Sequence, residues 1–228
     1  MEVYPSAAAP LAHRGERGWS PYVDNGGTAL GIAGEDFCVI AADTRVSNGY
    51  MIHTRNQGRI FKLTDKTYLA SAGMLADVTY LRERLLVVLT NYKHQHGSLP
   101  STTALAQLLS NLLYSRRFFP LYTQNLLVGI DNEGKGCVFT YDSIGNFEKT
   151  HCASQGSGQP LIIPFLDNQL GWKGNARSEK LTREFAVELT KEAFTSAGER
   201  DIHTGDSVEI ILFDAKGATS ERFALKED

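Results

Sequence analysis

The first third of the chain consists of short apolar runs separated by turn residues. Thr28–Gly34 and Phe37–Thr44 lie on either side of Gly-Glu-Asp, and Gly58–Leu63 and Thr67–Ala72 lie on either side of Thr-Asp-Lys. Runs of this length bounded by such residues are typical of β-hairpins. The pattern therefore predicts two pairs of antiparallel strands.

From residue 75 the apolar residues recur every three or four positions, which is the period of an α-helix. We predict a helix from Leu75 to about Lys93, followed by a break at Gly97 and Pro100, and a second helix with Ser101 as its N-cap. The apolar positions of the two helices are Leu75, Val78, Leu81, Leu85, Leu86 and Leu89, then Leu105, Leu108, Leu109, Leu112 and Leu113.

The second half of the chain repeats this order of strands followed by helices. The predicted elements are strands at Asn125–Ile130, Gly136–Tyr141 and Phe147–Ala153, helices from about Gly158 to Leu166 and from Leu181 to Ala197, and strands at Val208–Phe213 and Arg222–Leu225. The strands and helices are segregated, without the alternation of a parallel sheet, so the fold class is α+β. We expect a four-layer αββα sandwich of two antiparallel sheets flanked by helices.

Residues 1–20 carry Pro, Gly, Ala and mixed charge without apolar periodicity, which favours an N-terminal tail or a removable pro-segment. Residues 21–228 show no internal repeat and no linker. They are predicted to form a single domain, and 228 residues are enough for one substantial core.

Composition and charge narrow the classes of function. The formal net charge of −3 gives no electrostatic reason to expect nucleic acid or a membrane as partner, and no apolar run approaches the ~20 residues of a membrane span. The three cysteines, Cys38, Cys137 and Cys152, form no C-x-x-C pair, and the six histidines lie at no metal-ligand spacing. We predict reduced thiols in a cytoplasmic and nuclear protein, with no metal and no cofactor.

Five ordered blocks of sequence resemble the beta-type subunits of the proteasome core particle. They are Gly26-Gly27-Thr28, Ala41-Ala42-Asp43-Thr44-Arg45, Lys62-Leu63-Thr64-Asp65, Gly156-Ser157-Gly158, and Arg200-Asp201-Ile202-His203-Thr204-Gly205-Asp206. A single block would be weak evidence of membership in this family, but five blocks in the family's order and spacing are strong evidence. Two longer strings, Tyr114–Pro120 and Ser207–Glu209, are similar to one beta type in particular. The resemblance extends from about residue 20 to the C-terminus and implies the N-terminal-nucleophile hydrolase fold, which is an αββα sandwich.

The resemblance also implies a catalytic pattern, which this chain keeps only in part. In active members an N-terminal threonine attacks the peptide carbonyl, its own amine is the base, and a lysine paired with an aspartate lowers the pKa of the nucleophile. Here the lysine-partner aspartate is Asp43, the nucleophile position falls on Gly27, and the lysine position falls on Arg59. The remaining positions match Ser157, Asp201 and Thr204. With no hydroxyl at Gly27 and an arginine that stays charged, the resemblance implies no catalytic residue.

An alternative is an active threonine-type endopeptidase that is cut before Thr28 and uses it as nucleophile. Thr28 is one residue nearer to Asp43 than the family spacing requires. A slip of one residue in a strand turns the side chain to the opposite face, so we expect Thr28 to point away from Asp43 and Arg59.

Simpler interpretations of the same residues stay open. Asp43 and Arg45 could end a strand as a solvated ion pair. Gly156-Ser157-Gly158 could be an ordinary turn before a helix, and residues 201–205 a loop that ends one. Phe118 and Phe119 are costly to leave in water, so we expect them in the core or at a contact with another subunit.

The resemblance implies a non-catalytic subunit that shapes the proteolytic chamber in ATP- and ubiquitin-dependent protein degradation. Its partners would be other beta subunits of its ring and of the opposite ring, alpha subunits of the adjacent ring, and polypeptide substrates. Asp142 matches a position that faces a neighbour's substrate channel, although a turn aspartate at a strand end is an equally good interpretation. Two other classes are an alpha subunit, which carries an N-terminal helix that has no room here, and a free-standing binding protein. Without its hydroxyl the chain is not expected to trim its own tail.

Overall fold

The computed structural model describes residues 20–171 and 181–226. The predicted tail lies outside the described residues, apart from Ser20. In the first half of the chain the elements are β1 (Thr28–Ala33), β2 (Phe37–Asp43), β3 (Val46–Asn48), β4 (Met51–Thr54), β5 (Ile60–Thr64), β6 (Thr67–Gly73), α1 (Leu75–His96) and α2 (Thr102–Tyr114). In the second half they are β7 (Thr123–Ile130), β8 (Gly136–Tyr141), β9 (Phe147–Thr150), β10 (Cys152–Gly156), α3 (Gln159–Leu170), α4 (Arg183–Gly198), β11 (Ser207–Asp214) and β12 (Ala218–Ala224).

The strands form two five-stranded sheets and one separate hairpin. The first sheet has the order β10-β1-β2-β11-β12, the second has the order β5-β6-β7-β8-β9, and every neighbouring pair in both sheets is antiparallel. The hairpin β3-β4 continues directly from the end of β2. Because β10, β1, β2 and β11 are neighbours in the first sheet, segments that are far apart in the sequence lie next to one another.

The core is divided into three apolar layers, which identify the four-layer arrangement. Ile40, Val128 and Phe213 belong to the layer between the two sheets. Helices α3 and α4 cover the outer face of the first sheet, and helices α1 and α2 cover the outer face of the second. Strands β1 and β2 are buried along their whole length because one of their faces meets the opposite sheet and the other meets helices. The predicted αββα sandwich is confirmed.

The helix ends follow from the chain's capping residues. The Ser101 hydroxyl accepts a hydrogen bond from the Ala104 amide at 3.2 Å, which confirms Ser101 as the N-cap of α2. Helix α1 ends at Gly97, whose φ of +72° permits the left-handed cap conformation. Among the described residues no helix is both long and apolar enough to cross a membrane.

The structure corrects two details of the sequence analysis. The run Phe147–Ala153 is not one strand, because it breaks at His151 into β9 in the second sheet and β10 in the first. Phe118 and Phe119 are not in the core, since they are 98% and 60% exposed in the chain. The alternative of a contact with another subunit stays a prediction.

Candidate functional site

The space beside Gly27 is filled by the side chain of Arg59. Gly27 precedes β1 with a φ of +91°, and Arg59 precedes β5 in the opposite sheet. A Cβ atom added at Gly27 would lie 2.1 Å from Cζ of Arg59 and 2.4 Å from its Nη2. Real Cβ atoms do not approach other atoms so closely, so a side chain at Gly27 and the present position of Arg59 exclude each other.

Arg59 and Asp43 form a buried ion pair at the centre of the site. Nε of Arg59 lies 3.3 Å from Oδ1 of Asp43, and the two side chains are 1% and 0% exposed. Asp43 also accepts hydrogen bonds from the Thr28 amide at 2.9 Å and the Gly205 amide at 3.2 Å. Burial raises the pKa of Asp43 to about 7, against the opposing effects of Arg59 and the two amides. The interpretation of Asp43 as part of a solvated pair with Arg45 is wrong.

Not every nitrogen of the Arg59 guanidinium has a hydrogen-bond acceptor in the described part of the chain. Its Nη2 donates to the carbonyl oxygen of Arg45, while Nη1 and Nε have no hydrogen-bond partner among the described residues. A buried guanidinium depends on its counter-ion for charge compensation, so Arg59 depends on Asp43.

The Thr28 hydroxyl is enclosed in a chain of hydrogen bonds on the other side of β1. Thr204 donates its proton to Oδ2 of Asp201 at 2.5 Å, so Thr28 must donate to Thr204 across the 2.6 Å between their Oγ1 atoms. The same Thr28 oxygen accepts from the Gly158 amide at 2.8 Å. Thr28 is completely buried, its amide is part of a peptide bond, and its hydroxyl points away from Arg59, as the one-residue slip predicts.

Two further amides hold the peptide groups that precede Thr28. The Ser157 amide donates to the Gly27 carbonyl at 3.0 Å, and its hydroxyl lies 3.4 Å from the same oxygen. The Gly73 amide, at the end of β6, donates to the Gly26 carbonyl at 3.2 Å. The carbonyl groups of Gly26 and Gly27 therefore occupy the amides of Gly73 and Ser157.

A second charged cluster supports the loop that carries Asp201 and Thr204. Arg45 bonds both carboxylate oxygens of Asp206, at 2.9 and 3.3 Å, and Arg55 also donates to Asp206. Burial raises the pKa of Asp206, but the hydrogen bonds and charges of Arg45 and Arg55 outweigh burial and hold that pKa below its ordinary value. Asp206 has a φ of +67°, which among the described non-glycine residues is the one positive value. The cluster holds this strained turn in place.

Six of the predicted positions lie in one connected set of contacts: Gly27, Asp43, Arg59, Ser157, Asp201 and Thr204. The segment Gly156-Ser157-Gly158 is also a strand-to-helix turn, because it joins β10 to α3. Asp142 is separate, in the turn between β8 and β9, where Oδ1 accepts from the amides of Ile144 and Asn146. Sequence reasoning missed the contacts of two residues: the Gly73 amide bonds the Gly26 carbonyl, and the Asn25 side chain bonds Ser47 and Leu75. In the described part of the chain no three metal-ligating side chains come together.

Comparisons with known proteins show the family of the chain. Residues 23–212 match the family described as "Proteasome subunit". Proteasome subunit beta type-1 of Petunia hybrida is 50% identical over 216 residues, which cover 92% of this chain and 97% of that protein. The Dictyostelium discoideum protein of the same name is 49% identical, covering 91% of this chain and 89% of that one. Proteasome subunit beta type-6 of Saccharomyces cerevisiae is 37% identical, with coverage of 96% and 94%.

Proposed function

Because the chain belongs to the proteasome subunit family as a beta-type member, we propose that it is a non-catalytic structural subunit of the 20S core particle. One observation supports the proposal: the Arg59 guanidinium fills the space in which a side chain at Gly27, the position that the resemblance matches to the nucleophile, would lie. Nucleophilic catalysis needs a hydroxyl or thiol next to a base, and neither fits there.

The alternative of catalysis through Thr28 has weaker support. Attack requires a free amine as base and a hydroxyl that substrate can reach. The Thr28 amine is held in the Gly27–Thr28 peptide bond and donates to Asp43, while its hydroxyl is buried between Thr204 and Gly158. Both requirements are unmet as long as the bond is intact.

We propose the type-1 kind of beta subunit, at the ring position named beta-6, because relatives of both names cover nearly the whole chain. Its partners would be beta subunits of the same and the opposite ring and alpha subunits of the adjacent ring. Exposed large apolar side chains support contacts on more than one surface, since Tyr50, Met51 and Phe118 would otherwise stay in water. The subunit would shape a chamber for polypeptide substrates in ubiquitin-dependent degradation, in the cytoplasm and the nucleus.

The first prediction tests inertness. Native particles treated with a threonine-directed epoxyketone are expected to carry the probe on other beta subunits and none on this chain, because Gly27 has no hydroxyl and Thr28 is buried. Intact mass and peptide mapping of the separated subunits measure this. Adduct at Thr28 would refute the proposal. In native material the chain is expected to co-migrate with a very large particle in size exclusion, and native material that runs as a monomer would contradict the assembly role.

The second prediction concerns Asp142, which we propose contributes to the substrate channel of the neighbouring chymotrypsin-like site. Its Oδ1 serves the local turn, and the side chain is exposed at the end of β8. Asp142→Ala in assembled particles is expected to raise KM for that site's peptide substrates several-fold, because one acceptor for peptide amides is lost.

Asp131 provides a matched control, since its Oδ1 likewise accepts from amides two and four residues ahead, those of Glu133 and Lys135. Asp131→Ala removes an equivalent turn contact at another place and should leave this KM unchanged. Equal kinetics for the Asp142→Ala and Asp131→Ala particles would reduce Asp142 to a turn residue.

A further inference from the structure

The residues Tyr22–Gly27, here called the strap, make specific contacts along their whole length. The Tyr22 ring packs between Phe119 and Tyr122, with 5.8 Å between ring centroids on each side, and its hydroxyl donates to the Pro120 carbonyl at 2.8 Å. Within the strap, the Asp24 carboxylate accepts a hydrogen bond from the Gly26 amide at 2.9 Å. The Tyr22 contacts join the strap to the loop that follows α2.

Asn25 uses its side chain and its backbone to join the strap to two other elements. Its Oδ1 accepts from the Leu75 amide at 2.9 Å, and its Nδ2 donates to the Ser47 carbonyl at 3.1 Å. Its own carbonyl accepts from the Ser47 amide at 3.2 Å. Asn25 therefore connects β3 to the first residue of α1.

Helix α1 has no capping side chain of its own. Its N-cap position is Met74, which makes no side-chain hydrogen bond to the helix. The first amides of a helix have no partner within the helix, and an uncapped end is destabilised. The Leu75 amide is satisfied by Asn25, 50 residues earlier in the chain. This helix also carries Leu81 and Leu85 into the apolar layer outside the second sheet.

We propose that the strap is an integral part of the fold and that Asn25 is the N-terminal cap of α1. Removal of the strap would take the acceptor from four backbone amides, those of Leu75, Gly73, Ser47 and Ser157. The inference goes beyond the proposed structural role and does not depend on it.

The test is hydrogen exchange of the full chain in assembled particles, read by mass spectrometry on peptides that cover the first turn of α1. Asn25→Ala is expected to speed exchange there about 5- to 30-fold, the population change that loss of a cap produces. Asn91→Ala, on the exposed face of the same helix, is the matched control and should change nothing in the first turn.

Two further variants separate capping from general damage. Asn25→Asp keeps the acceptor and places negative charge at the helix N-terminus, so first-turn exchange should stay slow. Met74→Ser supplies a local cap at a residue with extended backbone, and in the Asn25→Ala chain it should restore slow exchange.

If Asn25→Ala alone blocks assembly, recovery of particles by the added Met74→Ser change supports the proposal, and continued failure overturns it. First-turn exchange in Asn25→Ala no faster than in Asn91→Ala also overturns it. Fast exchange in Asn25→Asp would do the same, because it would assign the effect to the Ser47 bond.

Discussion

Gly27→Thr is expected to lower the free energy of unfolding by about 3–5 kcal/mol and to restore no activity. Two costs add in this estimate: a β-branched residue at a φ of +91° is strained, and its Cβ would overlap the Arg59 guanidinium. The guanidinium cannot simply withdraw, because it compensates Asp43 in the buried site. Urea unfolding of the purified full chain measures the loss.

The two costs can be separated by matched variants. Gly134 has a φ of +82° and no atom within 4 Å of its missing Cβ, so Gly134→Thr carries the strain without the overlap and should cost only about 1–2 kcal/mol. Gly27→Thr combined with Arg59→Lys should recover about 1–3 kcal/mol relative to Gly27→Thr alone, because a slimmer side chain leaves room. Strict additivity of the two substitutions would show that Arg59 does not occupy that space in solution.

Asp43→Ala is expected to destabilise the chain by about 3–5 kcal/mol. The substitution leaves Arg59 charged, buried and without its counter-ion, and it also removes the acceptor of the Thr28 and Gly205 amides. The additional change Arg59→Met removes the uncompensated charge, so the double variant should be more stable than Asp43→Ala alone. Asp65→Ala, which breaks the exposed pair with Lys62, is the control and should leave the unfolding midpoint unchanged.

The pKa of Asp43 gives this site a pH dependence of known sign. Because burial raises that pKa to about 7, the folded chain holds the proton more tightly than the unfolded chain, whose aspartates titrate near pH 4. The contribution of Asp43 to stability is therefore greatest below about pH 4 and falls as the pH rises to about 7. Asp43→Asn should lack this fall when urea unfolding is compared across the window. A fall of the same size in both chains would contradict the assignment.

The sequence predicted those elements well whose local pattern, such as apolar spacing or a capping residue, was clear. Helices α1 and α2 followed from the spacing of their leucines, and Ser101 from the preference of serine for helix starts. The break at His151 was not predictable from local pattern, because Phe147–Ala153 is continuously strand-like. Only pairing with two different sheets divides it.

At the site, the sequence indicated which positions matter, but not how their side chains pack. Spacing from Asp43 located Gly27 and Arg59, but it did not indicate that the guanidinium lies in the space of the missing side chain. The hairpin β3-β4 was missed because its residues are few and largely exposed, so they carry little apolar pattern. The capping role of Asn25 joins residues 50 positions apart, which no local rule detects.

The mutual exclusion of Arg59 and a side chain at Gly27 also bears on how such a chain can evolve. Restoring a threonine first would create a poorly folding intermediate, and restoring a lysine first would bring no benefit to select for. Under the proposed non-catalytic role, peptidase chemistry would need both replacements together, along with a cut before the new residue. The position of Arg59 thus makes a return to a side chain at Gly27 unfavourable as a single step.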